Sequence, residues 1–216
     1  MSTSEYNTHM KDQPVRLPMT TTIPSDDTDA LASLFVAVSD RPAHLSPMKI
    51  EDLCAFARVL LVTDGTVTHM LRAHFREPIN VEVLSHDLQP LEAAKPWLQT
   101  KPGDEILLRK VALIGARTGR TYCLATSWIA LERISPDMRA DIVNMQRSLG
   151  SVLLANFSEN RRELLWFGRT QNGESQFEEN STKTQGQTLE RAYRVISGGV
   201  PIMTIAETFA PSILNQ

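Results

Sequence analysis

On either side of Gly198-Gly199 the chain alternates in short strand-length runs between Arg191 and Phe209, the pattern of a β-hairpin. Two adjacent glycines supply the positive φ angles that a two-residue hairpin loop requires. On the second strand Met203, Ile205 and Phe209 share one face, and Glu207 sits on that face too. The opposite parity, Ile202, Thr204, Ala206 and Thr208, is less apolar. A carboxylate on the more apolar face is costly to desolvate unless it is paired or used. Glu207 is therefore the first candidate functional residue.

The same reading extends along the chain. Residues 1–29 are rich in Thr, Ser, Asp and Pro and are expected to be loosely held. Asp29 to Ser39 has a short helical pattern, and Pro42 and Pro47 then interrupt the chain. Residues 1–44 are thus read as a polar, partly disordered N-terminal arm and 45–216 as one domain. Ser46-Pro47 has the form of an N-cap followed by a first-turn proline. It predicts a helix carrying Ile50, Leu53, Cys54, Ala57, Leu60 and Leu61 on one face, ended by Asp64-Gly65. Thr66 or Thr68 caps the next helix, with Met70, Leu71 and Phe75 as its apolar positions. Ile79 to Leu84 alternates as a strand, and residues 86–104 read as loop or partial helix. Glu105–Ile114 and Thr121–Leu131 form a hairpin around the polar segment 115–120. Ser135-Pro136 opens a helix with Ile142, Val143, Met145 and Leu149 facing inward, bending near Gly150, and the apolar run continues from Val152 to Phe157. Residues 170–188 read as a polar loop. There is no internal repeat and no βαβ alternation. The expected class is α+β, a single antiparallel sheet with helices packed against it.

Composition narrows the chemistry. A net charge of −3 argues against a broad nucleic-acid footprint. No apolar run reaches membrane-spanning length, and the N-terminus carries no signal-peptide core. Cys54 and Cys123 lie far apart and make neither a disulfide framework nor a CxxC knuckle, which fits a reducing cytoplasm. The five histidines show no metal-ligand spacing, so no metal is expected. Ser197-Gly198-Gly199 lacks the lysine and the strand-to-helix context of a phosphate loop, and reads as a turn. Arg161, Arg162 and Arg169 read as a solvated face, with an anion-attracting lid as the lesser alternative. Arg109 shares its strand parity with Leu107, Val111 and Leu113, and a guanidinium there needs an anion. It can pair with a glutamate such as Glu207, the reading slightly preferred, or clamp a ligand carboxylate through its fork. Either way, a buried Arg and a buried Glu suggest a pocket for a small anion with an apolar body.

These residues carry a resemblance. The run Arg191-x-Tyr-Arg-Val-Ile-Ser-Gly-Gly-x-Pro-Ile-Met203, followed by Glu207-x-Phe209, resembles the chorismate pyruvate-lyase (4-hydroxybenzoate synthase) family, in its mycobacterial-type branch. Weaker segments occur in the family's order: Asp64-Gly-Thr-Val-Thr68, Leu108-Arg109, Ala125-Thr-Ser-Trp-Ile129 and Ser148-Leu-Gly150. The resemblance implies an antiparallel sheet around a closed pocket and elimination of pyruvate from chorismate to leave 4-hydroxybenzoate, with no cofactor. By the same resemblance Arg109 binds the ring carboxylate, Glu207 contacts the 4-position oxygen, Leu149 touches the ligand through its backbone and Val67 closes the pocket. The ubiquinone-pathway enzymes carry methionine at the place of Val67 and arginine near Thr126. Thr126 is therefore the expected substrate-contacting position, and the holder of the enolpyruvyl carboxylate is left open, with the 158–169 segment as a source. A non-catalytic hydroxybenzoate or small-anion sensor of the same fold is the alternative, as is a binding-only paralogue. Oligomeric state is not legible.

Overall fold

The computed structural model describes residues 31–64, 66–144, 149–155, 160–170, 178–179, 182–183 and 186–214. Its strands are β1 (Leu45–Ser46), β2 (Ile79–Pro90), β3 (Glu105–Gly115), β4 (Thr121–Ile129), β5 (Asn160–Thr170), β6 (Glu178–Glu179), β7 (Thr182–Lys183), β8 (Leu189–Ser197) and β9 (Val200–Phe209). Seven of them form one antiparallel sheet in the order β1-β5-β8-β9-β4-β3-β2, and β6 and β7 pair separately. The helices are α1 (Ala55–Val62), α2 (Val67–Phe75), α3 (Pro136–Val143), α4 (Leu149–Ala155) and α5 (Pro211–Leu214). The α+β, single-sheet expectation holds.

The sheet is covered on both faces. On the inner face the cross-strand row Leu113, Cys123, Phe209 and Leu189 packs with Leu60 and Leu61 of α1 and Leu71 of α2. A second cluster joins Leu107, Ile129, Met203 and Val195 to Met138 and Ile142 of α3 and Val152 and Leu153 of α4. The outer face is covered by the segment before β1 and by a short 3-10 turn at Pro96–Leu98, which pack on Leu165, Trp166, Ala192 and Ile106. That second layer explains why Thr204, on the parity expected to be less apolar, is also buried, while Ile202 on the same parity joins the second inner cluster. Residues 31–44, grouped by composition with the N-terminal arm, lie against the domain: Phe35 enters the core, and the amides of Val36 and Ala37 donate to the carbonyls of Leu164 and Leu165. Residues 1–30 fall outside the described residues, as do Met145 and Ser148. Among the described residues no helix is long and apolar enough to cross a membrane.

Several local expectations are corrected by pairing that sequence cannot display. Ser46-Pro47 does not open a helix, because Leu45 and Ser46 are held extended by pairing with Thr170 and Arg169. A 3-10 turn at Ile50–Asp52 follows, and α1 starts only after Cys54, whose sulfur accepts from the Ala57 amide at 3.4 Å. The strand expected to stop at Leu84 runs on to Pro90, past a bulge that breaks its alternation. At an edge, a terminal proline costs no ladder hydrogen bond. The strand β5 was not anticipated, since a bulge between Leu164 and Trp166 scrambles the period-2 signal. The helix at Ser135-Pro136 forms as expected, with the Ser135 hydroxyl accepting from the Met138 amide at 3.3 Å. It leaves Val143 exposed, and Leu149 instead opens α4.

Candidate functional site

The inner face of the sheet carries a lattice of polar side chains amid apolar ones. Pairing registers set two adjacent rows across four strands. One row is Arg109, Ser127, Ile205 and Tyr193, and the next is Val111, Ala125, Glu207 and Arg191. Residues from both rows line a cavity of about 70 Å³, roofed by Thr66, Val67 and Thr68 at the start of α2 and by Leu149, Gly150 and Leu153 of α4. The roof is close-fitting: a Cβ on Gly150 would lie 2.8 Å from Cγ2 of Thr66.

Glu207 is buried and does not pair with Arg109. Its Oε2 accepts from Nε of Arg191 at 2.8 Å, and its Oε1 accepts from the Tyr193 hydroxyl at 3.1 Å. Arg191 is only 1% exposed and also donates through Nη1 to the carbonyls of Leu61 and Thr63, each at 2.9 Å. Those carbonyls lie at the C-terminal end of α1, where a cation complements the helix dipole. Burial, then the neighbouring Glu207 charge, raises the Tyr193 pKa, so the phenol remains a donor. The same two causes push the Cys123 thiol well above its ordinary value and keep it neutral. The preferred expectation for Arg109, an ion pair with Glu207, is therefore corrected.

Arg109 presents the opposite situation. It is 5% exposed and lines the cavity, and among the described residues no carboxylate lies within ion-pair distance of it. Desolvation lowers its pKa. A guanidinium nonetheless stays protonated. Across the sheet Arg109 and Glu207 stand two residues and two strands apart, about 12 Å between backbones by strand geometry. With both side chains leaning into the cavity, that span suits a six-membered ring bearing groups at opposite ends.

Of the sequence candidates, Arg109, Glu207, Val67 and Leu149 meet at this cavity. Thr126 does not. It lies between the cavity-lining Ala125 and Ser127 on β4, so strand alternation turns it to the outer face, opposite Lys110 and Ala206. The structure adds Tyr193 and Thr66, neither of which was singled out as a ligand contact, and Arg162, named from sequence only within the lesser lid alternative and the 158–169 segment; Arg191 stands behind Glu207 as its ion-pair partner. Thr66 occupies the N-cap position of α2, but its hydroxyl makes no capping bond. Its Oγ1 is buried at the cavity and has no hydrogen-bond partner among the described residues. Arg191 and Tyr193 were legible in principle, since both are polar residues at odd positions of an otherwise apolar strand face.

Comparison with known proteins bears on this site. Residues 61–216 match the family model described as chorismate pyruvate-lyase Rv2949c-like. A chorismate pyruvate-lyase of Mycobacterium tuberculosis is 28% identical over 178 residues, covering 80% of this chain and 88% of that protein. One from Mycobacterium leprae is 25% identical, covering 80% and 82%. Among solved structures, PhnF from Mycobacterium smegmatis has a TM-score of 0.53 at 12% identity, covering 71% of this chain and 67% of that one. The effector domain of PhnF gives a TM-score of 0.50 at 12% identity, covering 70% and 91%. These two likenesses concern the fold. The family match spans the sheet strands β2–β5, β8 and β9, the roof and every cavity-lining residue, and this chain belongs to the Rv2949c-like chorismate pyruvate-lyase family.

Proposed function

We propose that this protein eliminates pyruvate from chorismate to give 4-hydroxybenzoate, as a cytoplasmic enzyme whose domain, from about Leu45 onward, takes the preceding segment at Phe35 into its core. The observation that carries the reading is Arg109, a buried cation that faces a small cavity and has no carboxylate partner among the described residues. An unneutralised buried charge is expensive, and a ligand carboxylate in the fork of the guanidinium removes that cost. The naming of curated relatives as chorismate pyruvate-lyases supports the same substrate. The free thiols of Cys54 and Cys123 agree with a reducing compartment.

The chemistry demands little beyond orientation. The ether bond at C3 of the ring breaks, with its electron pair leaving on the enolpyruvyl oxygen, and the proton at C4 is lost. The ring becomes aromatic, and the released enolate takes a proton on carbon to become pyruvate. Atoms and electrons balance without a redox partner. Arg109 fixes the ring carboxylate, while Glu207 and Tyr193 face the 4-hydroxyl end and accept or return a proton there. The roof over Val67 and Leu149 keeps water from the reacting carbon.

A second reading has an observation of its own. Both carboxylate oxygens of Glu207 are already engaged, by Arg191 and Tyr193. A glutamate so held suits a site that binds hydroxybenzoate without turning over chorismate. Incubation of purified protein with chorismate separates the two. The lyase reading expects 4-hydroxybenzoate and pyruvate in equal amounts, undiminished by a metal chelator. Tight 4-hydroxybenzoate binding with no pyruvate formed leaves only the binding role.

A further inference from the structure

The cavity does not end at Tyr193. Leu153 and Arg162 line both the cavity and an outer pocket of about 300 Å³, whose wall also includes Asp64, Asn160 and Val195. Arg162 lies on β5 opposite Val195, on the inner face of the sheet. Its guanidinium carbon is 5.7 Å from the centre of the Tyr193 ring, within cation–π range. Between β3, which carries Arg109, and β5 run β4, β9 and β8. Four strand spacings make about 19 Å along the sheet. Two long cationic side chains thus stand at opposite ends of one cavity, with Glu207 and Tyr193 between them.

Size and charge then converge. A cavity of about 150 Å³ holds a benzene ring with nothing attached, whereas the interior here is about 70 Å³ and opens into further space beside it. A ring carrying an enolpyruvyl arm cannot lie wholly within it, and the adjoining space is the outer pocket, reached past Leu153 and Arg162. Chorismate carries two carboxylates, one on the ring and one on the arm, whereas 4-hydroxybenzoate carries only the first.

The geometry points to Arg162 as the residue that holds the second carboxylate, with the enolpyruvyl arm extending from the cavity into the outer pocket. The inference rests on the proposed function. It makes Arg162 the residue that distinguishes substrate from product: its bond exists only while the arm is attached. Once the C3–O bond has broken, pyruvate lies in the outer pocket and 4-hydroxybenzoate remains on Arg109.

The test compares substrate with product in two variants. In Arg162→Leu, kcat/KM for chorismate should fall roughly 10- to 100-fold through loss of a charge-assisted bond. The Kd for 4-hydroxybenzoate, measured by calorimetry, should change less than about twofold. Product binding at normal affinity also shows that the variant is folded. Arg162→Lys, which keeps the charge but not the fork, should recover part of the loss. Equal losses for substrate and product in both variants would overturn the inference, making Arg162 a packing partner of Tyr193. Unchanged turnover in Arg162→Leu would overturn it as well. If wild-type protein forms no pyruvate, the functional reading itself has failed; if wild type is active and only the Arg162 pattern is wrong, this inference alone has.

Discussion

Replacing Glu207 by glutamine tests the buried pair most sharply. Glu207 is 6% exposed and Arg191 1%, with Nε and Oε2 2.8 Å apart. The glutamine is nearly isosteric but uncharged, so Arg191 is left as a buried cation. Breaking a buried pair from one side costs about 3–5 kcal/mol. Arg191 keeps its two bonds to the Leu61 and Thr63 carbonyls, which places the expected loss at the lower end, about 3 kcal/mol. For a chain of this size each kcal/mol lowers Tm by about 2–4 °C, so the drop should be about 6–12 °C. Differential scanning calorimetry measures it directly. The double variant Arg191→Met with Glu207→Leu should recover most of the loss, because an apolar pair of similar volume leaves no buried charge. A Glu207→Gln Tm within about 2 °C of wild type would refute the structural account of the pair. If kcat in that stable variant had fallen by roughly 10²–10⁴, proton transfer would be the residue's main task. If kcat were also normal, Glu207 would be neither.

Arg109 should behave in the opposite way. Arg109→Met removes a buried cation with no carboxylate partner among the described residues, so Tm should rise by a few degrees while 4-hydroxybenzoate binding weakens by roughly 10- to 100-fold; a lower Tm would show that the cation is paired in solution. Because Trp97, Trp128 and Trp166 border a groove on the outer face, this binding is better followed by calorimetry than by tryptophan emission. A pH effect is expected at Glu77, which is not among the cavity-lining residues. Burial pushes its carboxyl up, but hydrogen bonds from the Tyr122 hydroxyl, the Arg117 and Thr118 amides and the Thr118 hydroxyl outweigh this and bring it down to about 2. A depressed carboxyl pKa contributes stability that is present above its unfolded value of 4.5 and is lost as pH falls from there towards 2. Urea midpoints taken across that range should fall less steeply in Glu77→Gln than in wild type, and parallel curves would remove Glu77 as the source.

Strand alternation is a local property, so much of the architecture was written in the chain. The Gly198-Gly199 turn, with φ of 57° and 81°, and the β3–β4 hairpin follow from neighbouring residues alone. So does the candidacy of Arg109 and Glu207, because a charge on an apolar face is conspicuous at period 2. Which charge meets which was a different matter. Counting back from the turn, Ser197 faces Val200 and Ile196 faces Pro201. Continued without interruption, that register would set Glu190 against Glu207 and Arg191 against Ala206. A bulge between Val195 and Ile196 shifts the pairing by one and brings Arg191 opposite Glu207 instead. β5 was hidden by a bulge of the same kind. The face on which Thr126 lies was open to the period-2 rule, but the cavity's position on one side of β4 was set by helices packed from distant parts of the chain. Within an unbulged stretch, alternation read from sequence tells which positions share a face. Register, and therefore charge pairing, is settled by the energy of whole strands lying side by side, where one extra residue in a ladder exchanges a like-charge contact for an ion pair.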